Sequence, residues 1–349
     1  MTEFIKSYGA QREKSNLEPM VVERREIRPD DVAIEILYCG VCHSDIHMVN
    51  NDWEMSLYPL VPGHEIIGKV IATGRDVSKF QIGDTVGVGC MVDSCQVCPS
   101  CQEDLEQYCQ TGATLTYSSI DPKDGLITYG GYSEKITVNQ KFVLKVPEHL
   151  DKAAAAPLLC AGITTWSPLK HWNIKAGSKV AVVGLGGLGH MAIKLANALG
   201  AEVTLFSRSP NKTEDAHRLG AHHVIISTDT KAMEQAVNQF ELIIDTVPYQ
   251  HDINPYIPTL AINGTLVIVG LLGDIAPTLN TVQMIFGRRT IAGSVIGGIK
   301  ETQELLDFCG QHHITADIEL IKMDEINHAY ERMLNKDVKY RFVLDLKTL

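Results

Sequence analysis

The sequence predicts an α/β fold in which a mostly-β domain is followed by a doubly wound parallel sheet. Up to about residue 150, short strand-like runs are separated by Gly, Pro and Asp turns. Beyond that point strand and helix patterns alternate, as in a parallel sheet with crossover helices, and the tail from about residue 298 is mixed. The length of 349 residues is enough for two domains.

Individual runs support each part of this prediction. In the first part, the predicted strands are DVAIEILYC, IIGKVIATG, DTVGVGC and YSEKITV. In the second part, KVAVVG, EVTLFS, HHVIIS, FELIIDTV and GTLVIVGL alternate with helix patterns in LGHMAIKLANALG and NKTEDAHRLG. The tail ends in a strand pattern, YRFVLDL. Because the tail lacks the regular alternation of strands and helices that precedes it, we expect the chain to return to the first domain. We therefore expect one domain from residues 1–154 and 298–349, and another from residues 155–297.

Composition excludes several classes of partner. The formal net charge of −11 argues against nucleic acid or an anionic membrane as a partner. No apolar run approaches the length of a membrane span, and the N-terminus MTEFIKSYGAQREK lacks the pattern of a signal peptide. Hydrophobic residues make up 45% and charged residues 21% of the chain, as in an ordinary globular protein. A cytoplasmic location is therefore expected.

Four cysteines form the most specific motif of the chain, with the spacing C-x2-C-x2-C-x7-C. Four thiolates so close in sequence can close a tetrahedral shell around one zinc ion, which makes a structural site. The alternative is a pair of disulfides, but nothing in the N-terminus indicates an oxidising compartment. We predict a structural-zinc lobe at residues 90–112 whose ligands are Cys95, Cys98, Cys101 and Cys109.

A glycine-rich motif lies between a predicted strand, KVAVV, and a predicted helix. In that context a G-x-G-x-x-G pattern is typical of a dinucleotide-binding Rossmann domain. The first glycine allows the tight turn, the second lets backbone approach the pyrophosphate, and the third lets the helix pack on the strand. The alternative is a Gly-rich turn without a ligand. The motif consists of Gly184, Leu185, Gly186, Gly187, Leu188 and Gly189.

The end of the next strand indicates which dinucleotide binds. NAD enzymes usually place an acid there, but Glu202 lies at the beginning of this strand. Its carboxyl end carries Ser207, Arg208 and Ser209, with Lys212 just beyond. A hydroxyl and two cations suit a 2′-phosphate, so NADP(H) is favoured over NAD(H). The alternative is a solvated polar turn.

A second set of metal ligands is spread along the chain. Cys42 lies in GVCHSDIH, His64 and Glu65 in VPGHEIIG, and Cys160 in PLLCAGITT. Each residue alone is weak evidence, since a single Cys or His in an apolar stretch is usually core packing. Together, two thiolates and an imidazole can form an open zinc shell that leaves a fourth position for water or substrate. The sequence therefore predicts two zinc ions per chain.

These motifs resemble those of one enzyme family. YCGVCHSDIH, YPLVPGHEIIG, the cysteine lobe, APLLCAGITTWSPLK, GLGGLGH, GSVIGGIKETQE and VKYRFVLD are similar to the zinc-containing medium-chain alcohol dehydrogenases. Within that superfamily the chain most resembles the cinnamyl alcohol dehydrogenase branch, which comprises broad NADP(H)-dependent aldehyde reductases. The resemblance implies a GroES-like catalytic domain beside the Rossmann domain, and a homodimer joined by edge strands, with a tetramer as the alternative.

The resemblance also implies roles for individual residues at the catalytic zinc. Cys42, His64 and Cys160 would bind the metal, and Glu65 would be an alternate ligand that can swing in. Asp45 would orient the ring of His64, as metal-bound imidazoles require of some residue. The other interpretations are a buried hydrogen-bonded carboxylate for Glu65 and a turn residue for Asp45.

Further roles follow from the same resemblance. Ser44 and His47 would relay a proton, although His47 could be a solvated loop histidine. Thr164 would lie near the nicotinamide, and Arg341 would reach a cofactor phosphate. The residues expected to hold the carboxamide are Val269, Gly270, Leu271, Ser294, Val295 and Ile296.

The substrate pocket is expected to be largely apolar. Trp53, Met91 and Leu115 match wall positions of the family, which suits medium aliphatic or aromatic aldehydes. For Met91 and Leu115, ordinary core packing is an equally good interpretation. The sequence thus predicts hydride transfer between NADP(H) and an aldehyde/primary-alcohol pair. The alternatives are an NAD-linked secondary-alcohol or polyol dehydrogenase, a zinc-free quinone reductase of the same fold, and a non-catalytic nucleotide-binding protein.

Overall fold

The computed structural model describes residues 3–271 and 273–349, so residues 1, 2 and 272 of the predicted domain ranges lie outside it. The chain divides into two compact units, one of Met1–Cys160 with Gly297–Leu349 and the other of Ala161–Ile296. The first boundary lies at Cys160 and not at residue 154, because Ala156–Leu159 form a buried 3-10 helix that packs on the sheet of the first unit.

Among the described residues, the first nine strands lie in the first unit, the next six in the second, and the last two in the first again. They are β1 Glu3–Gly9, β2 Glu18–Arg24, β3 Asp31–Gly40, β4 Ile66–Thr73, β5 Thr85–Val88, β6 Met91–Asp93, β7 Thr114–Leu115, β8 Lys135–Asn139, β9 Leu144–Lys145, β10 Lys179–Val183, β11 Glu202–Ser207, β12 His223–Ile226, β13 Phe240–Asp245, β14 Leu260–Ile268, β15 Thr290–Gly293, β16 Ile318–Lys322 and β17 Arg341–Asp345.

The helices lie mainly in the second unit and in the returning tail. They are α1 His43–Asn50, α2 Pro99–Gln102, α3 Lys152–Ala155, α4 Ala161–His171, α5 Gly189–Ala198, α6 Thr213–Leu219, α7 Thr230–Gln235, α8 Thr281–Gly287, α9 Ile299–His312 and α10 Ile326–Leu334.

The first unit is built on a mixed sheet with the order β16-β17-β3-β4-β5-β9, in which β8 also pairs with β3. Its pairs are antiparallel except for β16 with β17. β17, the last strand of the chain, pairs with β3, so the tail completes the first unit. Helix α1 follows β3 in the chain, and another segment leads directly into β4. Both segments carry candidate metal ligands.

The second unit contains a six-stranded parallel sheet with the order β12-β11-β10-β13-β14-β15. Counted along this unit the order is 3-2-1-4-5-6, the doubly wound arrangement of dinucleotide-binding domains. The order reverses between β10 and β13, and ligands bind at the carboxyl ends of the strands at such a point. Buried aliphatic and aromatic side chains, including Phe206, Phe240 and Leu266, form the core on this sheet. The predicted fold class is confirmed.

Among the described residues, no helix is both long and apolar enough to cross a membrane.

Candidate active site and metal centres

Four potential ligands converge in the first unit. Ligand atoms of Cys42, His64, Glu65 and Cys160 all lie within 4.8 Å of one another. Cys42 is the N-cap of α1, His64 and Glu65 come directly before β4, and Cys160 follows the 3-10 helix that ends at Leu159. The sequence prediction grouped these residues from three distant segments, and the fold brings them together.

Asp45 fixes the orientation of the His64 ring. Its fully buried carboxylate lies 3.1 Å from Nδ1 of His64, so Nδ1 carries the proton and Nε2 remains free for a metal. The same carboxylate accepts hydrogen bonds from the backbone N–H of Gly63 at 3.2 Å and of Cys42 at 2.9 Å. The hydroxyl of Tyr132 donates a further bond at 3.2 Å. Four donors therefore hold this carboxylate in place.

Glu65 has one partnered oxygen and one free oxygen. Its Oε1 accepts a hydrogen bond from Arg341, whose guanidinium also donates to the carbonyl of Val41 at 2.9 Å. Its Oε2 is buried and has no hydrogen-bond partner among the described residues. A buried carboxylate oxygen without a partner is costly unless a cation or donor approaches it. A metal ion bound in the cluster would supply a partner for the Glu65 carboxylate.

The electrostatics of the cluster favour the thiolate form of Cys42 but oppose the charged form of Glu65. A hydrogen bond from Cys160, with His64 and Arg341 nearby, lowers the pKa of Cys42 well below its ordinary value against the opposing effect of burial. Burial raises the pKa of Glu65 to about 7, although Arg341 acts in the opposite direction. Two sulfurs, an imidazole nitrogen and a carboxylate oxygen in one buried cluster are a donor set that zinc accepts.

The predicted relay residues lie on α1 beside this cluster. Ser44 Oγ lies 3.6 Å from Cys42 Sγ. His47 Nδ1 lies 2.8 Å from the Asp52 carboxylate, and the His47 ring packs on Trp53 with centroids 5.1 Å apart. The structure thus places the predicted pocket residue Trp53 against the predicted relay histidine.

The other two predicted pocket residues, Met91 and Leu115, are register partners on β6 and β7. Met91 is buried, whereas Leu115 is partly exposed. Tyr117 follows on the same segment, and its buried ring lies 5.8 Å from that of His64. Tyr117 was not predicted as a site residue, because nothing local in the sequence links it to a histidine so far away.

The second metal-binding cluster is the cysteine lobe, residues 90–112. The sulfurs of Cys95, Cys98, Cys101 and Cys109 lie within 4.8 Å of one another, and all four cysteines are free thiols. Sulfurs of Cys95 and Cys101 are 3.9 Å apart, well beyond the bond length of a disulfide. Backbone N–H groups of Cys98 and Gln110 approach lobe sulfurs at 3.4 Å. This is a closed four-sulfur set, suited to structural zinc.

The lobe also holds the start of α9. The backbone N–H of Ile299 donates to Glu106 at 3.0 Å, and Lys300 pairs with Asp104 at 2.9 Å. A Cβ added at Gly298 would come within 1.8 Å of the carbonyl oxygen of Asp104, so the two segments are in close contact. Ordering of the lobe is therefore coupled to the packing of α9.

Removing one lobe thiol should destabilise the protein through this contact. We expect Cys101→Ser to lose one zinc per chain and to lower Tm by about 5 °C or more, since metal binding contributes folding free energy. Metal analysis and thermal unfolding measure both effects. Cys309→Ser, a buried cysteine on α9 outside both clusters, is the matched control. A Cys101→Ser protein with full zinc content and unchanged Tm would contradict this role of the lobe.

The glycine-rich turn of the second unit has the three features that a dinucleotide site needs. Gly184 has φ of 90°, which favours glycine. A Cβ added at Gly186 would find no heavy atom within 4 Å, so there is open space above this backbone. A Cβ at Gly189 would lie 2.1 Å from the carbonyl oxygen of Gly184, so helix α5 packs tightly on the turn. The open space at Gly186 fits a pyrophosphate that approaches the start of α5.

The predicted 2′-phosphate residues lie at the end of β11 and directly after it. The hydroxyl of Ser207 donates to the carbonyl of Ser209 at 2.8 Å, and Arg208 is exposed. The Arg208 guanidinium donates to the hydroxyl of Tyr249 at 3.1 Å. Lys212 is the residue before α6 and is partly exposed. Ser207 thus ends β11, the strand beside β10, and Arg208 follows it, close to the glycine-rich turn, whose Gly184 N–H donates to the carbonyl of Phe206.

The remaining predicted cofactor residues lie at three places in the second unit and one in the first. Val269, Gly270 and Leu271 follow β14, and Ser294, Val295 and Ile296 follow β15, its neighbour in the sheet. Thr164 is buried on α4. Arg341, on β17 of the first unit, pairs with Glu65, and its contact with a cofactor phosphate stays a prediction.

Two family models match most of the chain. One, described as alcohol dehydrogenase GroES-like domain, matches residues 28–148. The other, described as zinc-binding dehydrogenase, matches residues 187–311. The first match covers the segments that carry Cys42, His64 and the cysteine lobe, and the second begins within the glycine-rich motif.

Individual relatives agree with these models. Aldehyde reductase YahK of Escherichia coli (strain K12) is 51% identical over 346 residues, 99% of each chain. The cinnamyl alcohol dehydrogenase SbCAD4 of Sorghum bicolor superposes with a TM-score of 0.95 at 42% identity, covering 99% of this chain and 98% of that one. A CAD from Helicobacter pylori complexed with NADP(H) has a TM-score of 0.93 at 42% identity over 99% of each chain. The chain therefore belongs to the zinc-containing medium-chain alcohol dehydrogenases, in the cinnamyl alcohol dehydrogenase-like branch.

Proposed function

We propose that this protein is a zinc-dependent aldehyde reductase that interconverts aromatic or medium aliphatic aldehydes and their primary alcohols with NADP(H). The observation that carries the proposal is the convergence of Cys42, His64, Glu65 and Cys160 within 4.8 Å in a chain that also has a dinucleotide-binding sheet. The cysteine lobe offers four sulfurs, which close the shell of a zinc ion. The cluster of Cys42, His64, Glu65 and Cys160 instead contains a ligand that substrate could replace, Glu65.

The residues of the cluster have distinct parts in this reaction. Bound zinc would polarise the carbonyl oxygen of the aldehyde, and bound NADPH would supply the hydride. Cys42 and Cys160 would hold the metal as thiolates, and His64 through Nε2, since Asp45 takes the proton on Nδ1. Arg341, which donates to Oε1 of Glu65, would hold that carboxylate beside the other ligands of the cluster.

Ser44 and His47 are the residues we assign to proton transfer. Ser44 Oγ lies 3.6 Å from a zinc ligand, Cys42 Sγ, and is therefore close to the reacting oxygen. His47 is partly exposed and pairs with Asp52, so its ring is within reach of solvent water. Both residues lie on α1, which fixes their spacing from Cys42.

The polar loop after β11 supports NADP(H) as the cofactor. Ser207 and Arg208 supply a hydroxyl and a guanidinium at the carboxyl end of the strand, and no acidic side chain stands there. The Helicobacter pylori relative named above was solved with NADP(H). Substrate preference is supported by Trp53, Met91 and Leu115, which are large apolar side chains, and by the relatives named aldehyde reductase and cinnamyl alcohol dehydrogenase.

A homodimer in the cytoplasm is part of the proposal. β15 is an edge strand of the six-stranded sheet, and an edge strand can pair with a second copy. Apolar side chains near it are exposed, including Ile285 at 74% and Phe286 at 85% on α8. Large exposed apolar side chains close to an edge strand are typical of an interface.

Steady-state kinetics test the proposed function. Zinc-loaded protein is assayed with benzaldehyde and with hexanal, each with NADPH and with NADH. We expect turnover of both aldehydes and a strong preference for NADPH. Better turnover of secondary alcohols or polyols with NAD would instead support the NAD-linked alternative, and no turnover with either cofactor would overturn the enzymatic proposal.

Replacing Arg208 should change the cofactor preference. We expect Arg208→Ala to lower kcat/KM for NADPH by about tenfold or more and to leave kcat/KM for NADH nearly unchanged, since only NADPH carries the 2′-phosphate. Arg218→Ala, which removes an exposed arginine from α6, is the matched control and should change neither value. Equal losses with both cofactors would show that Arg208 does not recognise the 2′-phosphate.

A further inference from the structure

Asp245 and His251 form an ion pair that none of the roles above uses. Asp245 ends β13, and its register partner on β10 is Val183, the residue before the glycine-rich turn. Its carboxylate is fully buried, and Oδ2 lies 3.0 Å from Nε2 of His251. A buried carboxylate therefore lies beside the segment that we assign to the cofactor phosphates.

The surroundings of His251 favour a protonated ring. Nδ1 lies 2.9 Å from the carbonyl oxygen of Tyr249, and Nε2 faces the carboxylate of Asp245. A neutral imidazole carries a hydrogen on only one nitrogen, whereas the imidazolium form presents an N–H to the carbonyl and a positive charge to the carboxylate. The adjacent Asp245 carboxylate raises the pKa of His251. The geometry of this ion pair thus suits a protonated His251 that offsets the charge of Asp245.

Tyr249 connects this pair to the loop after β11. Its carbonyl accepts from His251, while its hydroxyl accepts a hydrogen bond from Arg208 at 3.1 Å. The Arg208 guanidinium also lies 5.9 Å from the centre of the Tyr249 ring. The residues assigned to the 2′-phosphate and the ion pair therefore form one connected group at the carboxyl end of the sheet.

We propose that His251 is a specificity-determining residue of the cofactor site, which neutralises Asp245 and so removes a negative charge that would repel the phosphates of NADP(H). The inference rests on the proposed function, because it assumes that the parallel sheet binds NADP(H). Coulomb repulsion between an unpaired carboxylate and a phosphate grows with the phosphate charge. A ligand with two phosphate groups should therefore depend on His251 more than a ligand with one.

Binding of two nucleotides that lack the nicotinamide tests this proposal without catalysis. Dissociation constants of 2′,5′-ADP and 5′-AMP are measured by displacement of bound NADPH, followed by its fluorescence. His251→Gln keeps a hydrogen-bonding side chain but removes the charge. We expect this substitution to raise the dissociation constant of 2′,5′-ADP by about tenfold and that of 5′-AMP by clearly less. Adding Asp245→Asn to His251→Gln should return both constants to within about twofold of wild type, because the repelling charge is gone.

A matched control is available in the same unit. His223 and Glu202 form another histidine–carboxylate pair at 2.9 Å, but both lie at the amino ends of their strands. His223→Gln should leave both dissociation constants unchanged. The proposal is overturned if His251→Gln changes neither dissociation constant. It is also overturned if His251→Gln raises both dissociation constants equally and the added Asp245→Asn substitution restores neither. Wild-type protein that fails to bind NADPH or 2′,5′-ADP would instead overturn the proposed cofactor.

Discussion

Cys42→Ser is expected to lose one of two zinc ions per chain and to lower kcat/KM for aldehyde reduction by about a thousandfold or more. A serine hydroxyl stays protonated at neutral pH and is a poor zinc ligand, whereas the pKa of Cys42 lies well below its ordinary value. The remaining ligands, His64, Glu65 and Cys160, would hold the metal weakly. Metal analysis of purified protein and steady-state kinetics with NADPH measure the two losses.

The control for this prediction separates the two metal sites. Cys309→Ser changes a buried cysteine outside both clusters and should keep both zinc ions and full activity. Cys101→Ser should lose the lobe zinc and keep the zinc at Cys42, His64 and Cys160, whereas Cys42→Ser should lose the latter zinc together with activity. A Cys42→Ser protein that retained two zinc ions and normal turnover would exclude Cys42 as a catalytic ligand.

The second large effect is expected at the glycine-rich turn. Gly186→Val should weaken NADPH binding by about a hundredfold or more, because the side chain would fill the space that the pyrophosphate needs. Folding should be nearly unaffected, since a Cβ at Gly186 meets no heavy atom within 4 Å. Fluorescence titration with NADPH measures the binding, and thermal unfolding without cofactor measures the stability.

Gly189→Val is the informative comparison for Gly186→Val. A Cβ at Gly189 would lie 2.1 Å from the carbonyl oxygen of Gly184, so α5 would have to shift away from the turn. We expect Gly189→Val to lower Tm, whereas Gly186→Val should not. Tight NADPH binding by a folded Gly186→Val protein would show that the cofactor does not approach this backbone.

The parts of the site that local sequence predicts are those built from residues close in the chain. The four cysteines of the lobe lie within 15 residues, and the fold brings their sulfurs within 4.8 Å of one another. The glycine-rich turn is likewise local, because each glycine is required by the strand, turn or helix next to it. The order of strand and helix patterns was enough to predict the doubly wound sheet, which is confirmed.

Partners separated by long stretches of chain could not be predicted from local patterns. Arg341 lies 276 residues after Glu65, and only the return of β17 to β3 brings them together. Arg341 was therefore considered only as a phosphate ligand. The contact of Tyr132 with Asp45 spans 87 residues and has the same origin. Such contacts depend on strand pairing, which sequence periodicity does not specify.

Weak local signals explain two other differences. The strand β16, Ile318–Lys322, was not predicted, because its five residues lie in a mixed tail and the strand pairs only with β17 in the sheet order. The first unit extends to Cys160 because the 3-10 helix before it packs on β3, β4 and β5. The composition of AAAAPLLC, residues 153–160, resembles the start of a helical domain, whereas its packing assigns it to the first unit.

Transfer of the hydride itself tests the central claim most directly. Zinc-loaded protein is incubated with benzaldehyde and NADPH that is deuterated at the transferable position of the nicotinamide ring, in two separate preparations that carry the label on opposite faces. The account predicts that one preparation yields benzyl alcohol with one deuterium on the carbinol carbon, and that the other yields unlabelled alcohol. Benzyl alcohol without deuterium from both preparations, or no alcohol at all, would contradict it.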